Sequence, residues 1–229
     1  MASRRILVLG ATGGTGRHVV QQAVDAGLEV SVLVRDPAKL SSLHPRVRVH
    51  VGDVLGEASV LATAVANQDA VISTLGVGRS FKSGRLISRS APALVAAMQA
   101  QGVRRLIFTS AFGVGATHRD TPLLPRVFIA TLLRDIYADK RDGEAVIQAS
   151  SLDWTIVYPV GLTDGPRTGA YRVGERLALS GFPRIARADV AEFLLRQVSD
   201  RSHVRKGVLI ARRAGSPYPS PDHEQAAPR

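Results

Sequence analysis

An α/β fold, a parallel sheet with helices on both faces, is what this sequence predicts. Two observations predict it. Short apolar runs of strand type alternate with helical segments along most of the chain, and repeated strand–helix units build a parallel sheet. The first strand-to-helix junction also carries a glycine-spaced loop, "LGATGGTGRHVV" (9–20). The 229 residues suffice for one such domain with a sizeable core and are short for two.

The elements follow in order. "RILVLG" (5–10) is a buried-strand run. Residues 14–26 form a helix, with Val19, Val20, Ala23 and Val24 on one face and Gly27 as terminator. "LEVSVLVR" (28–35) is the second strand. Asp36 caps a short helix that has Pro37 in its first position. "RVRVHVGD" (46–53) is strand three, 57–66 a helix, "DAVISTLG" (69–76) strand four. After "GVGRSFKSGR" comes a long helix over 86–101, closed by Gly102, then strand five, "VRRLIFTS" (103–110). Residues 122–150 read as helix with a break in the middle, and "LDWTIVYP" (152–159) as strand six. Beyond Pro159 the chain is turn-rich, with strand candidates near 170–177. Asp189 then caps a helix bearing Val190, Phe193, Leu194 and Val198 on one face. "GVLIA" (207–211) is a last strand. The organisation expected is one domain over 1–212, with 160–187 inserted as a small C-terminal substrate-binding region. A disordered tail is expected over 213–229, where apolar residues are lacking.

Bulk properties narrow the function. There is no cysteine, so disulfides and cysteine-ligated metals are excluded. The six histidines show no ligand spacing, and no metal is expected. The formal charge is +11, carried almost wholly by arginine, with Lys only at 39, 82, 140 and 206. The densest pairs, Arg4-Arg5, Arg104-Arg105 and Arg212-Arg213, flank strands and read as solvated strand ends. Aromatics make up 5% and no nucleic-acid motif is present, so nucleic acid is not an expected partner. The N-terminal apolar run is too short for a signal peptide or a membrane span, and a cytoplasmic protein without membrane contact is expected. A monomer is favoured over a homodimer.

The glycine loop carries chemistry because of where it lies. Gly10 permits a tight turn, Gly13 lets backbone approach a pyrophosphate, and Gly16 lets helix pack on sheet. The helix N-terminus offers free N–H groups and partial positive charge to phosphate. Thr12 and Thr15 can add hydroxyl donors. This is a dinucleotide loop of a Rossmann-type doubly wound sheet; a Walker loop is excluded because no Gly-Lys-Ser/Thr follows. About twenty residues on, a ribose reader is due at the end of strand two. The chain has Arg35 there, in "LVRDP", which suits a 2′-phosphate and favours NADPH over NADH.

The chain resembles the atypical short-chain dehydrogenase/reductases, in the NAD(P)H-binding group that includes biliverdin-IXβ/flavin reductases and NmrA-like proteins. The resemblance rests on "GATGGTG" (10–16), "VLVRDPAKL" (32–40), "VGDV" (51–54), "DAVISTLG" (69–76), "AAMQAQGVRRLIFTSAFG" (96–113), "LDWTIVYP" (152–159), "LTDGPRTGAY" (162–171) and "RADVAEFLL" (187–195). It implies that Gly10, Thr12, Gly13, Gly14, Thr15 and Gly16 cradle the pyrophosphate and that Arg35 takes the 2′-phosphate. It implies further that Asp53 and Val54 border the adenine, and that Thr74, Leu75 and Gly76 line the cofactor. Ser110 and Lys140 would stand at the nicotinamide as the catalytic pair, and Pro159, Val160, Gly161 and Leu162 would pass the carboxamide. Candidate substrate contacts are Phe112, Tyr158, Arg167 and Tyr171.

Two departures from the family pattern matter. Lys140 matches the Lys of a Tyr-x-x-x-Lys motif, but the Tyr position falls on Ile136. Tyr137 is displaced by one residue, about 100° around a helix. The His of the bilin reductases, just after the strand-six proline, is replaced by Gly161. The expectation is an NADPH-dependent reductase that passes hydride to a conjugated or aromatic small molecule: a flavin, quinone, bilin or polyketide-like ring. Ser110 would bond the charge that grows on the acceptor. Arg79, Lys82 and Arg85 in one loop, and Arg167 and Arg172 in another, either favour acidic acceptors or are simply solvated. Two other readings stand beside it: an NADP(H)-binding redox sensor of NmrA type, and a non-redox tailoring enzyme such as a cyclase or dehydratase.

Overall fold

The computed structural model describes residues 4–40, 47–78, 80, 82–115, 117 and 133–213. The elements are β1 (Arg5–Leu9), α1 (Gly14–Asp25), β2 (Glu29–Val34), β3 (Arg48–Val51), α2 (Ala58–Val65), β4 (Ala70–Ser73), α3 (Leu86–Ala100), β5 (Arg105–Thr109), α4 (Arg134–Ala149), β6 (Asp153–Pro159), β7 (Gly161–Thr163), β8 (Tyr171–Gly174), β9 (Arg184–Ala186), α5 (Arg187–Arg196) and β10 (Lys206–Arg212). Asp36 accepts from the Ala38 amide at 3.0 Å and so starts a 3-10 turn over Pro37–Leu40. The first part of the long helix expected over 122–150, the tail beyond 213 and Arg79 lie outside the described residues.

Eight strands form one sheet in the order β3-β2-β1-β4-β5-β6-β10-β8. All neighbours are parallel except β8, which runs antiparallel to β10. The order reverses beside β1, so β1 and β4 flank the switch point, where ligands of such sheets bind beyond the carboxyl ends. A separate parallel pair, β7 with β9, follows β6.

Both faces are covered because the central strands are apolar on both sides. In β1, Ile6 and Val8 face a core shared with Val19, Val20 and Ala23 of α1 and Val190, Phe193 and Leu194 of α5. Leu7 and Leu9 face the other core, with Leu61 and Val65 of α2, Leu94 and Met98 of α3 and Ile147 of α4. The doubly wound fold follows from that alternation. Among the described residues no helix is long and apolar enough to cross a membrane.

One expected cap is corrected. Asp189 does not start the last helix; α5 begins at Arg187 with Ala186 in the cap position. Asp189 is buried inside the first turn. Its carboxylate accepts from the Thr168 amide (2.6 Å), the Thr168 hydroxyl (2.7 Å) and the Gly169 amide (2.9 Å). It ties the loop before β8 to α5 instead of closing its own helix.

Candidate functional site

A cleft of about 230 Å³ opens at the carboxyl ends of β1, β2 and β4. Gly10, Thr12, Gly13, Arg35, Asp53, Val54, Thr74, Leu75 and Gly76 all line it. The turn at its floor is set by close packing. Gly10 has φ +80°, and a Cβ there would lie 2.7 Å from the Thr74 carbonyl oxygen. A Cβ on Gly16 would lie 2.1 Å from the Gly10 oxygen. The Thr74 amide and hydroxyl both donate to the Leu9 carbonyl, at 2.9 and 3.0 Å, which fastens the end of β4 to the turn. Asp53 bends the third strand's exit, accepting from the Leu55 amide at 2.9 Å. Arg35 is exposed at the end of β2; its neighbour Asp36 is engaged with Ala38 and Lys39.

The Gly13 amide is spent on the Gly10 carbonyl at 2.9 Å. Donors for an anion therefore come from the first turn of α1, Gly14 to Gly16, whose N–H groups have no intrahelical partner by geometry. No acidic residue sits in that turn. The Arg187 side chain lies directly across it: a Cβ on Gly14 would be 2.8 Å from Arg187 Cδ and Nε. Arg187 Nη1 holds Asp164 at 2.5 Å.

A second polar cluster forms beyond β5 and β6. The Ser110 hydroxyl donates to Glu144 Oε1, and the Tyr158 hydroxyl donates to Glu144 Oε2 at 2.9 Å. Ser110, Tyr158 and Glu144 are all buried. Burial pushes the Glu144 carboxyl up, against the two hydroxyl bonds and the Lys140 charge, which pull it down. Lys140 lies one helical turn before Glu144, and desolvation lowers its ammonium while Glu144 and Asp139 raise it. Tyr137 shares that face of α4, but its hydroxyl donates to the Phe112 carbonyl at 3.0 Å. The α4 helix is positioned from α3: Asp139 is buried and accepts from the Ile87 and Ser88 amides at 3.0 and 2.8 Å, capping α3 from outside.

A family model for NAD(P)H-binding proteins matches residues 10–201. The chain belongs to the NAD(P)H-binding family. Among its relatives is the photosystem II assembly factor Ycf39 of Synechocystis sp., 28% identical over 88% of this chain and 60% of that protein. Another is the isoflavone reductase of Pisum sativum, 22% identical over 90% of this chain and 69% of the relative. ChuY, an anaerobilin reductase from Escherichia coli O157:H7, shares the fold, with a TM-score of 0.77, 23% identity and coverage of 93% of this chain and 99% of its own. The chain spans 62% and 60% of the first two curated relatives it matches.

The residues present fit the dinucleotide that the NAD(P)H-binding family takes. The first turn of α1 is bare of acid and overlain by a guanidinium, and neither Gly10 in the turn before it nor Gly16 within it has room for a side chain. Pro159 ends β6, Val160 is buried, and the Gly161 amide donates to Pro183 at 3.2 Å, which carries Leu162 into β7. Other candidates fall elsewhere. Tyr171 packs edge-on against Phe193 at 6.2 Å, with its hydroxyl 3.5 Å from Arg196, on the α5 side of the sheet. Tyr158 is wholly buried, Phe112 bridges both cores, and Arg167 is exposed in its loop. Sequence reasoning missed Arg187 and the role of Glu144. It also missed Ser73 Oγ and Thr109 Oγ1, buried at the ends of β4 and β5 with no hydrogen-bond partner among the described residues. Only the i, i+4 spacing of Lys140 and Glu144 hinted at the role of Glu144.

Proposed function

We propose that this protein is an NADPH-dependent reductase acting on a conjugated or aromatic small molecule. One observation carries the reading: the glycine turn after β1 and Ser110 after β5, which binds Glu144 of α4, lie at the same carboxyl edge of the sheet, where β1 and β4 stand beside β5 and β6. Bound NADPH would supply a hydride to the acceptor. The chain's own part is placement and charge. The first turn of α1 with Arg187 holds the pyrophosphate, and Arg35 selects the 2′-phosphate through charge-assisted bonds. Lys140 faces the nicotinamide ribose, and Ser110 offers a hydroxyl where negative charge grows on the acceptor. Thr74, Leu75 and Gly76 bound the dinucleotide, and Asp53 and Val54 bound its adenine. The exposed Leu162 and Phe182 near the same edge give an apolar rim for a flat ring. Two curated or solved relatives are reductases by name.

A second reading draws on the Ser110 hydroxyl being turned onto Glu144 and the Tyr137 hydroxyl onto Phe112. In it the protein holds NADP(H) without turnover. The test is to mix the purified protein with NADPH and a panel of flavins, quinones, bilins and dyes, and to follow the nicotinamide absorbance. Oxidation that falls in Ser110→Ala supports the reductase. Tight NADPH binding with no oxidation by any acceptor supports the second reading.

A further inference from the structure

We propose that Glu144 is a proton store for Ser110, keeping a carboxylic acid proton in the unliganded protein and passing it through the Ser110 hydroxyl to the reduced acceptor. The proposal rests on the reductase reading and supplies the proton donor that the missing Tyr at position 136 leaves open.

The geometry is specific. Glu144 is 2% exposed. Its two oxygens meet two neutral hydroxyls, Ser110 from the end of β5 and Tyr158 from β6. Gly115 closes the cluster from the following loop: a Cβ there would lie 2.3 Å from Glu144 Oε2 and 3.0 Å from the Tyr158 oxygen. Gly115 has φ +50°, so backbone packs straight onto the carboxyl. From its own helix Lys140 is the one charge acting on Glu144 among the described residues, and no ion pair forms between them. Asp139 is turned away to the α3 amides, and α3 meets this part of α4 through Ile87 at Gly143. A carboxyl so placed favours the neutral form, because the cost of burying its charge outweighs what the two hydroxyls and Lys140 offset.

Hydroxyl protons rotate to suit their partners. With Glu144 ionised, Ser110 must donate to it and has no proton to offer elsewhere. With Glu144 protonated, the Ser110–Glu144 bond reverses so that the acid O–H donates to Ser110 Oγ, and the Ser110 proton is free for the acceptor. The transfer balances. The hydride brings two electrons to an acceptor carbon; the Ser110 O–H bond breaks as an acceptor O–H or N–H bond forms. The Glu144 O–H bond breaks as a new Ser110 O–H bond forms. Glu144 is left as carboxylate and takes a proton from water before the next turnover.

Two measurements on the full chain test this. The first is infrared titration of the unliganded protein. A buried carboxylic acid signal should persist above the ordinary glutamate range and vanish in Glu144→Gln. A Glu144 carboxyl that ionises at its ordinary value overturns the proposal, whatever the turnover. The second is NADPH oxidation against pH. Glu144→Gln keeps size and hydrogen bonding, so NADPH affinity should hold while turnover drops about a hundredfold. The fall of wild-type activity with rising pH should disappear as well. Turnover within threefold of wild type with an unchanged pH profile overturns the relay and leaves the reductase reading standing. A raised titration with no wild-type turnover on any acceptor overturns the reductase reading and the relay with it.

Discussion

Arg187 lies across Gly14 at the head of α1 while its Nη1 grips Asp164 at 2.5 Å. One guanidinium thus links the head of α1 to the loop after β7. Asp164 is 84% exposed and Arg187 only 26%, so the acid is the partner that solvent can replace. Arg187→Ala should weaken NADPH and NADH alike, by about 1.5–3 kcal/mol for a lost charged hydrogen bond. Asp164→Asn should tighten both by freeing the guanidinium. Fluorescence titration checks this; wild-type affinity in Arg187→Ala would remove Arg187 from the site.

Arg35 should act on one cofactor only. It lines the cleft at the end of β2, and Asp36 is already committed to Ala38 and Lys39. Arg35→Ala should cost NADPH binding about 1–3 kcal/mol and leave NADH nearly unchanged. Calorimetry with both dinucleotides decides it, and equal losses would refute a 2′-phosphate role.

Gly16 is a packing requirement before it is a binding one. A Cβ there would sit 2.1 Å from the Gly10 oxygen, a contact no rotamer relieves. Gly16→Ala should lower unfolding stability by about 1–3 kcal/mol, the usual range for overpacking, and abolish NADPH binding. Urea denaturation at wild-type stability would show that the turn relaxes freely.

Phe182 is 83% exposed, close to where Pro183 receives the Gly161 amide beyond β6. If it roofs an aromatic acceptor, Phe182→Ala should raise the acceptor KM severalfold and leave NADPH affinity untouched. Steady-state kinetics with the best acceptor of the panel separates the two constants. A change confined to NADPH binding would place Phe182 elsewhere.

Stability should depend on pH through Glu144. Its folded value is raised by burial, so the stability it contributes is complete below the ordinary glutamate range and is lost as pH rises through the folded value. Gln at 144 has no such dependence. The Tm of wild type minus that of Glu144→Gln should therefore fall as pH rises from acid to neutral and beyond. Thermal melts across that range check the sign; a constant difference would mean Glu144 titrates alike folded and unfolded.

The sequence by itself determined the alternation of strands and helices, the doubly wound sheet, and the cleft residues from Gly10 to Gly76. These are local properties: apolar period, turn glycines and the residue that ends each strand are written within a few positions of one another. Tertiary structure alone decided which distant side chains meet. Glu144 reaches Ser110 across 34 positions because α4 packs beside the end of β5. Arg187 reaches Gly14 because α5 lies next to α1 on one face. Tyr171 turns onto Phe193 because β8 runs antiparallel on β10, and Asp189 serves the loop at Thr168 instead of its own helix. Sheet order and helix packing set those distances, and they are sums over the whole chain that no short window of residues contains.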